Sequence, residues 1–388
     1  MKRLFALLLL VAAASACIAD ETAEIYQTLY KQANGLPQKY AAVLNIVALN
    51  DKTTAPILAS ALDELLLTQK SYSSRTDADL YGQTVQVLAR ALGDYKYAVA
   101  APSLWDVVQQ VPDPLARAEA LISIGKLRDL DYVERIALKL RDLNLQPATD
   151  ADADEKIAYG AIVALDRLKD PRGFASVFFA ADSWYSSRTR QQAAQSLADI
   201  SDDPTAPIKE ILGTEDSPAR RLRALQAEAA SKASDGRKIE VAVLVLNLGH
   251  LKGARDKAEA KALSDQRKLA LRCLIAYKAS GLDPVDGCGS SYAKGYDDEE
   301  RLLALSALGV NGSDQSATLL RDIILQLDAE QQAGIADETR NRMAKAAIEN
   351  TSLAKNKIVR PALLAVSMDD KWSGGIILAA KSALKDMP

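Results

Sequence analysis

One punctuation mark recurs between the apolar stretches of this chain: an acid or serine, then proline, then a new amphipathic segment. It stands at Asp113-Pro114, Asp170-Pro171, Asp203-Pro204, Ser217-Pro218 and Asp283-Pro284. A short oxygen-bearing side chain accepts one of the orphan N–H groups of a starting helix. Proline fits the first turn because its missing donor has no partner there. The apolar residues between these marks follow helical spacing, and nothing reads as a run of strands. The expected fold is all-α, built of short antiparallel helical hairpins that stack side by side.

Single units show the grammar. Ile157, Ala161, Ala164, Leu165 and Leu168 form one helical stripe, and Gly160, Ala161 and Ala164 are small enough to let a neighbouring helix approach. Lys169-Asp170-Pro171 turns the chain, and Phe174, Val177, Phe178 and Ala181 carry the second stripe. Equivalent pairs flank Asp202-Asp203-Pro204, Asp235-Gly236 and Asn311-Gly312. Upstream, Val87, Leu88 and Leu92 precede Gly93-Asp94, and Val99, Leu104 and Val108 follow. Turns near Asp94, Asp129, Asp170, Asp203 and Asp235 recur at roughly 30–45 residues, the period of helical repeats.

This pattern of alanine-rich helix, leucine, Asp-Pro turn and second helix resembles HEAT and HEAT-like repeats, over about residues 38–388. The stretch from Val87 to Val108 is also similar to a tetratricopeptide unit, with Gly93, Tyr95 and Ala98 in fitting places. Either resemblance implies an α-solenoid spanning 20–388, a fold that binds partners along a groove, here expected to be lined mainly by second helices. Two stretches break the rhythm. Residues 143–154 are polar and read as a bend, and residues 281–298, GLDPVDGCGSSYAKGYDD, read as an irregular loop where a second helix is due.

The N-terminus carries an address. Lys2 and Arg3 precede an apolar run from Leu4 to Ala13, and Ala14-Ser15-Ala16 has the small-residue form of a cleavage site. Residues 1–19 are therefore expected to be a signal peptide, too short to span a membrane comfortably. Export to a bacterial periplasm or envelope follows as the expected location. Ala14-Ser15-Ala16-Cys17 also resembles a degenerate lipobox, which leaves lipidation of Cys17, and a membrane anchor through it, as the alternative. Beyond Cys17 only Cys273 and Cys288 remain, and an exported chain permits a disulfide between them.

Chemical signatures are sparse. A single histidine, His250, excludes a histidine zinc cluster and HExxH, and NLGHLKG places it at a helix end. Asp150, Asp152 and Asp154 alternate like a calcium loop but lack its glycine and glutamate, so they read as acids opening a helix. No metal or cofactor is expected. Charges are interspersed and the net charge is −3, which argues against nucleic acid as a partner.

One echo stands out. Tyr72-Ser73-Ser74-Arg75-Thr76 recurs identically as Tyr185-Ser186-Ser187-Arg188-Thr189. Both copies read as helix starts capped by serine. Read functionally, they form a repeated contact edge in which Tyr72, Arg75, Tyr185 and Arg188, with Phe179 and Trp184 beside the second copy, meet a protein or peptide partner. The expectation from sequence is thus a non-enzymatic interaction scaffold. A structural lipoprotein, or a hydrolase or lyase using carboxylates in a groove, are the alternatives.

Overall fold

The computed structural model describes residues 24–72, 74–145, 150–335 and 337–387. The expected signal peptide, Cys17 and Ser73 lie outside the described residues. The protein is all-α, and no strand occurs among the described residues. It divides into two compact units, the first ending at Ser201 and the second starting at Asp202.

The first unit contains α1 (24–32), α2 (Leu36–Ala48), α3 (Ala55–Thr68), α4 (Arg75–Asp94), α5 (Ala101–Gln110), α6 (Pro114–Leu127), α7 (Val133–Leu145), α8 (Ala151–Leu168), α9 (Phe174–Ala180) and α10 (Ser187–Ile200). Helices α2, α4, α6, α8 and α10 pack in sequence as one row. Helices α3, α5, α7 and α9 form the second row, each packed on the first-row helix that follows it. Leu88, Leu92, Leu121, Ile124, Leu140, Phe174 and Phe178 fill the space between the rows and are fully buried.

The first row is drawn together by missing side chains. A Cβ on Gly125 of α6 would lie 2.8 Å from the Cα of Ala164 on α8, and one on Gly160 of α8 would lie 2.7 Å from the Cα of Ala118 on α6. The two glycines thus form a reciprocal seam in which backbone touches backbone. Across the second row, α5 and α7 pack less closely than α7 and α9 do. A tight seam on one side and wider spacing on the other leave an opening between α5 and α7.

The turns use a device beyond Asp-Pro. Arg128 and Lys169 end their helices in the left-handed conformation, at φ 58° and 55°. Asp129 and Asp170 then cap a single 3-10 turn, accepting from Asp131 N at 3.1 Å and Arg172 N at 2.9 Å. Asn50-Asp51 and Lys355-Asn356 repeat the arrangement. The Asp113 carboxylate caps α6 directly, accepting from Ala116 N at 2.6 Å, whereas the Ser217 side chain makes no cap bond. Val99, read as part of a core stripe, lies exposed in a 3-10 turn that has no side-chain cap.

The second unit repeats the two rows. They are built from α11 (Thr205–Thr214), α12 (Pro218–Ala230), α13 (Asp235–Leu251), α14 (Lys257–Ala276), α15 (Val285–Lys294), α16 (Asp298–Asn311), α17 (Asp314–Gln332), α18 (Glu338–Ala354), α19 (Arg360–Met368) and α20 (Gly374–Lys385). Even-numbered helices form one row and odd-numbered helices the other.

The irregular loop expected at 281–298 is corrected here: its middle is α15. Gly287 and Gly289 read as loop punctuation, yet they sit where other helices come close. A Cβ on Gly287 would lie 2.8 Å from Leu246 and Asn247 atoms of α13, and one on Gly289 would lie 2.9 Å from Leu319 of α17. Packing overrides their weak helix propensity. Cys288 is therefore on a helix, not in a loop, and the bridge to Cys273 is not formed: both thiols are free and buried. Burial pushes the Cys273 thiol up to about 11 and that of Cys288 up to about 12, so neither is an active nucleophile at neutral pH. In the bend expected at 143–154, α7 continues to Leu145 and α8 begins at Ala151 with Asp150 as its cap, while 146–149 lie outside the described residues.

Candidate functional site

Helix α6 is apolar around much of its circumference, so it has more than one face to cover. Ala120, Leu121 and Ile124 enter the core. Leu115, Ala118, Glu119 and Ile122, at helical spacing on another side, instead floor a cleft of about 520 Å³ on the first-row face. Gln86 of α4 stands at one side of it. Asp152, Glu155, Lys156 and Tyr159 of α8, with Ser186, Arg188 and Thr189 at the start of α10, form the other.

The carboxylates in the cleft are held. The Glu155 carboxylate accepts from Ser186 N at 3.2 Å, from the Ser186 hydroxyl, and from Thr189 Oγ1 at 2.6 Å. Burial raises its pKa, but these hydrogen bonds outweigh burial and bring it below the ordinary value. Glu155 thus replaces a serine cap: it satisfies the start of α10 from the neighbouring hairpin. Glu119 meets Arg90 at 2.9 Å and Lys126 at 3.5 Å, and Asp152 meets Lys156 at 2.5 Å. Arg188 differs from them. Its guanidinium lies over the Tyr159 ring, 5.5 Å from the centroid, and no carboxylate among the described residues pairs with it. A cation on a ring, at the edge of an apolar floor, is poised for an anion.

The six residues singled out from sequence separate. Arg188 lines the cleft, but Tyr72 and Arg75 do not; α6 and α8 stand between their helix and α10. The identical pentapeptides also start their helices one residue out of step. Ser74 caps α4, accepting from Asp77 N at 3.1 Å, whereas in the second copy the preceding serine, Ser186, holds the cap position.

Tyr185 is buried, and its hydroxyl donates to Asn144 Oδ1 at 3.0 Å. Trp184 Nε1 donates to the Leu143 carbonyl at 3.0 Å, with its ring 4.5 Å from that of Tyr185. Phe179 meets Phe178 edge-on. Trp184 and Tyr185 therefore fasten the end of α7 to the loop before α10. Glu155, Tyr159 and the Leu115–Ile122 stripe were not foreseen. The signal was present in α6, whose apolar residues outnumber what one core-facing stripe requires.

The only histidine does make a serine contact. In the last turn of α13, His250 Nε2 lies 2.9 Å from Ser291 Oγ of α15. Ser291 is fully buried and His250 half-buried, and the pair joins the two helices. Burial first, and then the charge of Arg267, lower the His250 pKa to about 4. Arg267 itself donates to the fully buried Glu300 carboxylate at 2.6 and 3.0 Å, and Ser264 and the Tyr296 N–H donate to that carboxylate as well. No group of histidine, cysteine and acidic side chains arranged for a metal occurs among the described residues.

No family model matches the chain, and no curated protein matches it. Among solved structures, human deoxyhypusine hydroxylase in complex with glycerol is similar at 16% identity over 96% of this chain and 98% of that one, with a TM-score of 0.28. This likeness corrects one expectation. The structure found alongside this helical chain is that of an enzyme, so the description of the protein as a non-enzymatic scaffold is withdrawn. No reaction passes from that protein to this one.

Proposed function

We propose that the first unit, made of HEAT-like repeats, binds a short peptide segment of a partner protein in the α6–α8–α10 cleft, and that the chain does so after export. The observation that carries this reading is Arg188, stacked on Tyr159 and paired with no carboxylate among the described residues. A peptide carboxylate meets that guanidinium while an aliphatic side chain covers Leu115, Ala118 and Ile122. The cleft is lined by first-row helices, not by the second helices expected from sequence.

The test compares a pentapeptide that ends in a free leucine carboxylate with its C-terminal amide, by calorimetric titration. The free acid is expected to bind at least about tenfold more tightly, and Arg188→Ala is expected to remove that preference while leaving the helical circular dichroism unchanged. Equal binding of acid and amide, or binding of neither, refutes the reading.

Export rests on the Lys2-Arg3 start, the apolar run and Ala14-Ser15-Ala16. Mass spectrometry of the mature chain from an expressing bacterium is expected to find a soluble form starting near Asp20. An intact Met1 overturns export, and a lipidated Cys17 overturns the soluble form alone.

A further inference from the structure

The opening between α5 and α7 is a second cleft, of about 750 Å³, on the opposite row from the first. Its walls face each other across the gap. Trp105 and Asp106 come from α5, while Arg135, Lys139 and Asp142 lie along one side of α7. Arg117 enters from the start of α6.

The charge there is not neutralised. Among the described residues, no carboxylate stands within ion-pair distance of Arg117, Arg135 or Lys139. Arg117 donates through Nε to the Val108 carbonyl at 2.7 Å, which fixes its head, and no hydrogen bond ties its two terminal nitrogens among the described residues. Burial lowers its pKa, and Asp154 acts on it only through space. Arg135 lies over the Tyr132 ring, 5.3 Å from the centroid, and Trp105 packs against the same ring at 5.8 Å. The cleft therefore combines three cations, an ordered aromatic wall and two carboxylates able to accept hydrogen bonds.

We propose that this cleft binds a phosphate ester that carries a flat heteroaromatic ring and hydroxyl or amino donors, the chemistry of a nucleoside monophosphate. The phosphate sits among Arg117, Arg135 and Lys139, the ring lies along Trp105, and Asp106 and Asp142 accept from the donors. Each lining charge then has a role: the cations fix the anion, and the acids select a ligand with donors over a bare anion. This site is separate from the peptide cleft, and neither proposal depends on the other.

The test is calorimetric titration of the full mature chain with adenosine 5′-monophosphate, adenosine and inorganic phosphate. The monophosphate is expected to bind one to one, and adenosine and phosphate each at least about tenfold more weakly. The double variant Arg135→Ala, Lys139→Ala, whose side chains bond no backbone group, is expected to lose at least about tenfold in affinity for the monophosphate with its thermal melt unchanged. Arg188→Ala, in the other cleft, is expected to leave this binding unchanged. Three results overturn the proposal: no binding of the monophosphate, binding of adenosine or phosphate as tight as the monophosphate, or an affinity that falls with Arg188→Ala and not with the double variant.

Discussion

His250 shows what one half-buried side chain does to the whole stability curve. Its folded pKa is about 4, below the ordinary histidine value of about 6.5, because burial and Arg267 disfavour its charge. Between those two values the unfolded chain binds more protons than the folded one. Stability from this residue is therefore complete above about pH 6.5 and is lost as the pH falls toward 4, by about 3 kcal/mol at most. Denaturant unfolding of the protein and of His250→Gln at pH 7 and pH 4.5 checks this. The native protein is expected to lose more stability than the variant, and parallel losses refute the assignment.

A companion group titrates the other way. The fully buried Glu228 carries a carboxyl that burial holds above its ordinary range, and its Oε2 has no hydrogen-bond partner. Its Oε1 faces Thr205 Oγ1 at 2.8 Å, while that hydroxyl also lies 2.5 Å from Asp203. One hydroxyl proton cannot serve two carboxylates, so the Thr205 hydroxyl satisfies only one of them at a time. Sequence alone reached part of this scale. The Asp113, Asp170 and Asp203 caps were legible because a cap is a local matter of one oxygen and one N–H two or three residues on. Glu155 capping α10, or His250 meeting Ser291, joins residues 31 to 41 positions apart, and no spacing rule encodes that.

Between elements, the same substitution is expected to have opposite signs at two glycines. Gly213, in the last turn of α11, has nothing within 4 Å of a built Cβ, so Gly213→Ala is expected to stabilise by roughly 0.5–1 kcal/mol. Gly160→Ala drives a methyl into the Ala118 backbone and is expected to destabilise by roughly 1–3 kcal/mol. Thermal melts of the two variants decide it, and a shift of the same sign in both refutes the seam. The approach of α6 to α8 was legible from Gly160, Ala161 and Ala164. Helix α15 was not, because the same residue type marks both turns and close contacts, and only the neighbouring helix tells them apart. The second cleft was hidden for a related reason: Arg117, Arg135 and Lys139 look like ordinary surface charge until α5 and α7 are seen to stand apart.

At the scale of the whole chain, contacts gather within 24–201 and within 202–387, and the sequence marked no boundary between them. Asp202-Asp203-Pro204 reads like every other hairpin turn. Each part has its own two rows and its own buried interior, so residues 20–201 and 202–388, expressed separately, are each expected to give helical circular dichroism and a cooperative melt. A part that remains unfolded refutes this independence. The architecture was recoverable from sequence because repeats state it many times over, whereas activity depends on single sites stated once.

The α6–α8 seam also limits how this protein can diverge. Where backbone rests on backbone, positions 125 and 160 cannot accept one added carbon without parting the helices. Ala151, exposed at the start of α8 and outside the cleft, can drift. A distant descendant could share almost no lettering with this chain, and the trace of its ancestry would be two absent side chains.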